Sequence, residues 1–128
     1  MLEKAAKARL DIVVMNESGD WDAATGMHLV ALYEFCHREV YGVEPLELGA
    51  DAKAWYSASS AAERLVKNFF EGDYGRCVSF VHWIWRREEG REKWRREQNR
   101  DGGRIGWRLQ FSASAVSDYR VHGARNGK

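Results

Sequence analysis

The sequence predicts an all-α fold, a compact bundle of three main helices plus a short C-terminal closing helix. Three observations carry that expectation. Apolar residues recur at helical spacing along three stretches, near 25–41, 50–71 and 73–85. Pro45 is the only proline in 128 residues, which leaves long helices uninterrupted. Glycines stand where these stretches end, at Gly42 and Gly72. No segment requires a sheet. At this length the chain is one domain, long enough to bury a single core, and its 45% hydrophobic content is ordinary for a globular protein.

Residues 1–24 read as a loosely attached N-terminal arm. Glu3 to Leu10 has helix-forming composition, and Leu10–Met15 fits either a short strand or the last turn of the same helix. Asn16 to Asp20 is turn chemistry, with Trp21 pinning the arm to the body. The helical domain then covers 25–122. Its first helix, Thr25 to Tyr41, places Leu29, Leu32, Tyr33, Cys36 and Val40 on one face. Pro45 pushes Glu44 out of the helical region, so 43–49 is a connector. The second helix, Ala50 to Glu71, is Ala/Ser-rich in its first half and allows a neighbour to approach closely there. Ala62, Leu65, Val66, Phe69 and Phe70 face inward in its second half.

Asp73 is the expected N-cap of the third helix, whose Cys77, Val81, Ile84 and Trp85 repeat at i, i+4, i+7 and i+8. The spacing allows a solvated extension through Arg86–Gln98, supported by the pairs Glu89–Lys93 and Glu92–Arg96, with Gly90 marking a bend or a break. Asn99–Gly103 is a loop. Arg104–Phe111 is the closing helix, a further turn is expected near Ser114–Tyr119, and 123–128 reads as a disordered tail. The expected core is Leu29, Leu32, Tyr33, Cys36, Leu65, Val66, Phe69, Cys77, Phe80, Val81, Ile84 and Leu109.

Charge divides the chain. Residues 1–85 carry eight Lys/Arg against thirteen Asp/Glu, and residues 86–128 carry twelve against six. A basic C-terminal part points to an acidic partner such as nucleic acid, or to attraction between the two halves, within one molecule or between copies. Cys36 and Cys77 sit among apolar residues and read as buried thiols of a reducing compartment. Met1 to Leu10 lacks the apolar core of a secretory signal, and no apolar run approaches the ~20 residues of a membrane span. The expected location is the cytoplasm, away from membranes.

The spacings of catalysis are missing. His28, His37, His82 and His122 include no pair four apart with a Glu between them, as a helical zinc site needs, so no metal or other cofactor is expected. Cys36 and His37 are neighbours that diverge by about 100° on a helix, which prevents nucleophile–base pairing. Gly102–Gly106 lacks the Lys-Ser/Thr of a phosphate loop. The chain is therefore expected not to be an enzyme.

One signal remains, a basic and aromatic one. Arg86, Arg87, Arg91, Arg95, Arg96, Arg100, Arg104 and Arg108, with Lys93, are interleaved with Trp94 and Trp107. Guanidinium forks grip phosphates in pairs of hydrogen bonds. Indole faces stack on unpaired bases at about 1–3 kcal/mol each. These residues are the expected binding site for DNA or RNA, or for a nucleoprotein or protein partner. The competing reading is a solvated, salt-bridged hairpin in which Trp94 packs on Trp107. A homo-oligomer is compatible with either.

Leu65-Val-Lys-Asn-Phe-Phe70, Asp73-Tyr74, Val81-His-Trp-Ile-Trp85 and Ile105-Gly-Trp-Arg-Leu-Gln-Phe111 together resemble small helical domains of bacteriophage and mobile-element replication accessory proteins, of the helicase-loader or initiator type. The resemblance covers about residues 50–120. It implies a non-enzymatic accessory that touches DNA or a replication protein, and it supplies no catalytic residues. The alternative function is a protein–protein module, an inhibitor, adaptor or assembly subunit, that uses the same segment as its interface.

Overall fold

A computed structural model of the chain describes residues 2–89 and 104–123. Among these residues the structure is all-helical, with no strand. The helices are α1 (Leu2–Ser18), α2 (Gly26–Tyr41), α3 (Ala52–Phe69), α4 (Tyr74–Glu89), α5 (Trp107–Gln110) and α6 (Ala113–Asp118), followed by a π-helical turn (Tyr119–Gly123).

α2 is the central element, with α1, α3 and α4 packed around it. Its predicted stripe explains why: Leu29, Leu32 and Tyr33 are buried outright, as are Val30 and His37. Burial of each large apolar side chain contributes about 1.5–3 kcal/mol. At the start of α2, Gly26 lies against α3. A Cβ there would come 2.4 Å from the Ser59 carbonyl oxygen and 2.6 Å from its Oγ. This is the close approach anticipated for the Ala/Ser-rich half of α3.

The ends of the helices follow their sequence signals. Gly42, in the left-handed region, returns its N–H to the Arg38 carbonyl at 2.8 Å. Asp51 caps α3 by accepting from the Lys53 and Ala54 amides. Gly72, at φ 80°, sends its N–H back to the Val66 carbonyl and stops α3. Asp73 then caps α4, its carboxylate accepting from the Arg76 amide at 3.2 Å.

Leu29, Leu32, Tyr33, Cys36, Leu65, Val66, Cys77, Phe80, Val81 and Ile84 are buried as expected, while Phe69 and Leu109 are half-buried. The core also takes in Trp55, Leu48, Ile105, Ala115 and Val116. Both cysteines are free and buried, and burial pushes each thiol up to about 12.

The N-terminal arm is corrected. Residues 2–18 form one helix, and Leu10–Met15 lies within it with no strand and no loose attachment. Ala5, Ala8 and Ile12 are buried against α2, and Trp21 is buried beyond the helix end. Arg9 grips the buried carboxylate of Glu34 through Nε at 2.7 Å and Nη2 at 2.8 Å, which raises the arginine further above its ordinary value. His28 Nδ1 accepts the Thr25 N–H, so the ring's proton sits on Nε2 and is donated to Asp11 at 3.0 Å. That bond holds the Asp11 carboxyl below the usual carboxylate range.

The expected extension of the third helix through Gln98, its charge pairs, the bend at Gly90 and the 99–103 loop lie outside the described residues beyond Glu89. The tail at 124–128 lies outside them too. Gly123 closes the π turn. Among the described residues no helix is long and apolar enough to cross a membrane.

Candidate functional site

The described residues break off at Glu89, at the end of α4, and resume at Arg104. Both points are fixed by side chains. On the outgoing side, Trp83 and Arg87 are one helical turn apart, and the guanidinium lies over the indole at 4.8 Å. Arg87 also pairs with Asp118 at 3.5 Å. Trp83 in turn packs on Tyr119 with centroids 5.4 Å apart, and Tyr119 on Phe80 at 5.5 Å. α4 and the π turn thus share one aromatic surface whose cations stand around it. Arg86 is exposed on the last turn of α4, where a positive charge also complements the helix dipole. Burial, and then the positive charge of Arg86, hold the His82 ring below its ordinary value.

Arg120 follows Tyr119 in the π turn. It donates to the Phe69 carbonyl at the C-terminus of α3 and lies over the Phe69 ring at 5.7 Å. His122 is exposed beside Asp118 at 3.5 Å.

On the far side of the basic segment in sequence, two tyrosines of α2 hold one residue, Ile105. Tyr41 Oη accepts the Ile105 N–H at 2.9 Å, and Tyr33 Oη donates to the Ile105 carbonyl at 2.8 Å. Ile105 itself is buried. Glu47 then holds the first turn of α5, accepting the Trp107 N–H at 3.3 Å and meeting Arg108 at 3.5 Å. His37 donates to the Val43 carbonyl at 2.7 Å and sits edge-on to Tyr41, so the connector after α2 is tied to the same cluster.

The chain matches no family model, no curated protein and no solved structure.

Of the predicted site residues, the structure brings Arg86 and Arg87 to the end of α4, and Arg104, Trp107 and Arg108 to the stretch that begins at Arg104. Arg91, Trp94, Arg95, Arg96 and Arg100 lie outside the described residues, and with them the expected packing of Trp94 on Trp107. Trp107 is corrected as a stacking platform. It is only 7% exposed, part of the core, and Arg108 lies over its ring at 4.4 Å. With so little of the ring exposed and a guanidinium over it, Trp107 presents no open face for a base to stack on. Arg104 lies over Tyr41 at 5.9 Å.

The residues missed were Trp83, Tyr119 and Arg120. A signal for the first was present: Trp83 and Arg87 are spaced i, i+4, which places a cation on a ring along one helix face. Arg120 carried no such local signal, because Phe69 is remote in sequence.

A concavity of about 430 Å³ opens between α1, α2 and the connector, lined by Arg9, Glu34, Arg38, Glu44, Gly49 and Ala50. Each of its arginines is paired with one of its glutamates, Arg9 with Glu34 and Arg38 with Glu44. Among the described residues no three His, Cys, Asp or Glu side chains come together as metal ligands would.

Proposed function

We propose that the chain is a non-enzymatic accessory protein that binds nucleic acid, or a nucleoprotein machine, through its Arg/Trp-rich C-terminal segment. The observation that carries this reading is the cluster at the end of α4. Arg87 lies over the half-buried Trp83 ring, Trp83 packs on Tyr119, Arg86 is exposed on the same last turn of α4, and the arginine run Arg91–Arg100 follows directly in sequence. Cations beside aromatic faces suit a single strand, whose phosphates take the guanidinium groups and whose unpaired bases stack. Arg87 and Ile105, on either side of that run in sequence, are each held by side chains of the described body. The resemblance over about residues 50–120 supports a phage or mobile-element replication role.

A second reading, a protein–protein module using the same segment, is favoured by one observation. Arg87 and Arg108 already face Asp118 and Glu47, which lowers the net positive field left for phosphates. Fluorescence anisotropy separates the two. Labelled oligonucleotides should bind at low salt, single strands ahead of duplex, and Arg86→Glu should weaken binding severalfold while the variant still melts cooperatively. If the variant binds as tightly as the parent, the end of α4 is not the contact surface.

A further inference from the structure

The α1 helix leaves three branched apolar side chains on the side away from its packing face. Ala5, Ala8 and Ile12 face α2, whereas Leu10, Val13 and Val14 are 72%, 54% and 66% exposed. These three lie within about 100° of arc on the outward face, one contiguous apolar stripe. Leaving each in water forgoes most of what its burial would contribute.

The charges that flank the stripe indicate what covers it. Lys7 precedes it and Glu17 follows it, both exposed. Lys7 and Glu17 are centred on position 12, and so are Leu10 and Val14. A two-fold axis level with Ile12 therefore sets Leu10 of one copy against Val14 of the other, and Lys7 against Glu17, each pairing occurring twice. A self-complementary surface of this kind is what an isologous contact requires. Parallel pairing would instead set Lys7 against Lys7 and Glu17 against Glu17. Ala6, also outward, is small enough to let the two backbones approach. The Lys7–Asp11 contact within one helix, at 3.3 Å, is an exposed pair that holds the lysine only weakly.

We propose that two copies of the chain associate through α1, antiparallel about an axis level with Ile12. This inference rests on α1 alone and is independent of the nucleic-acid reading. A seam of one helix pair is small, so the dimer is weak and concentration-dependent.

Sedimentation equilibrium of the full chain, up to about 0.5 mM, tests it. The parent should shift from monomer towards dimer across the range. Leu10→Glu should remain monomeric with an unchanged circular dichroism spectrum, since the position is exposed. Lys7→Glu should weaken the dimer about tenfold by setting like charges level across the axis. The double exchange Lys7→Glu/Glu17→Lys should restore parental affinity, a rescue that only the antiparallel register provides. A parent that stays monomeric throughout overturns the proposal. So does a dimer indifferent to Leu10→Glu, or a double exchange that fails to rescue. A monomeric parent that instead sediments with anionic lipid vesicles would assign the stripe to a membrane surface and equally overturn it.

Discussion

Trp85 donates its indole N–H to Oε1 of Gln110 at 2.6 Å, and both side chains are buried. The bond joins α4 to α5, so the described residues on either side of the basic segment belong to one packed unit. It also fixes the amide orientation, because a reversed Gln110 would turn two N–H donors against an N–H. Nε2 of Gln110 then has no hydrogen-bond partner among the described residues. One good bond is therefore kept at the cost of one buried donor, which makes the pair sensitive to change.

Gln110→Leu removes the acceptor of the indole N–H and strands that donor in the core. The expected loss is about 1–3 kcal/mol in urea denaturation. Trp85→Phe in the same background should recover part of it, because both polar groups are then gone. Fully additive losses in this double-mutant cycle would mean that the two side chains do not interact in solution.

Gly26→Ala should destabilise the chain although alanine is the better helix former. The added methyl meets a backbone carbonyl, that of Ser59, and backbone cannot swing aside. Overpacking of this kind costs about 1–3 kcal/mol. A variant as stable as the parent would place α2 and α3 further apart than described.

The Arg9–Glu34 pair should respond unequally to loss of either member. The Glu34 side chain is 5% exposed and Arg9 is 42% exposed. Arg9→Met leaves a carboxylate with nowhere to go and should cost about 2–4 kcal/mol. Glu34→Gln lets the arginine turn to water and should cost less. Thermal melts of the two variants compare them directly, and equal losses would contradict the asymmetry of burial.

Stability should fall on both sides of neutrality for separate reasons. The His82 ring is held below its ordinary value in the fold, so the unfolded chain takes the proton first as pH drops below about 6.5. The stability tied to neutral His82 is present above that pH and is lost as pH falls through the folded value; His82→Leu should flatten this limb. The buried thiols act at the other end, where stability is lost as pH rises from about 9 towards about 12. At pH 8 a disulfide reagent should find no reactive thiol in the native chain, and both on unfolding. Rapid native labelling of either cysteine would show that the core around it opens.

Helices α2, α3 and α4 were legible because their buried faces are built from bulky residues at helical spacing, such as Leu29, Leu32 and Tyr33 or Cys77, Val81 and Ile84. α1 was not, because its buried face is mostly alanine, Ala5 and Ala8 with Ile12, while Leu10, Val13 and Val14 point outward. That inversion made Leu10–Met15 read as a strand or a helix end. The site was half legible. Arginine density marked the segment, but the Ile105 clamp joins residues far apart in sequence through tyrosine hydroxyls, which no local pattern announces. Trp107 misled for the same reason. Its arginine neighbours suggested a surface, and only the packing of α5 on the bundle shows it to be core.

The most direct test of the account is a salt series of anisotropy titrations on a labelled single-stranded oligonucleotide. The parent is compared with the variant Arg95→Glu/Arg96→Glu/Arg100→Glu. Each phosphate contact contributes a slope of about −0.7 in log affinity against log salt for a single strand. The account predicts measurable binding at low salt, a slope corresponding to several such contacts, and loss of both binding and slope in the variant. Absence of binding at low salt, or equal affinity of parent and variant, would contradict it and assign the segment to a protein partner.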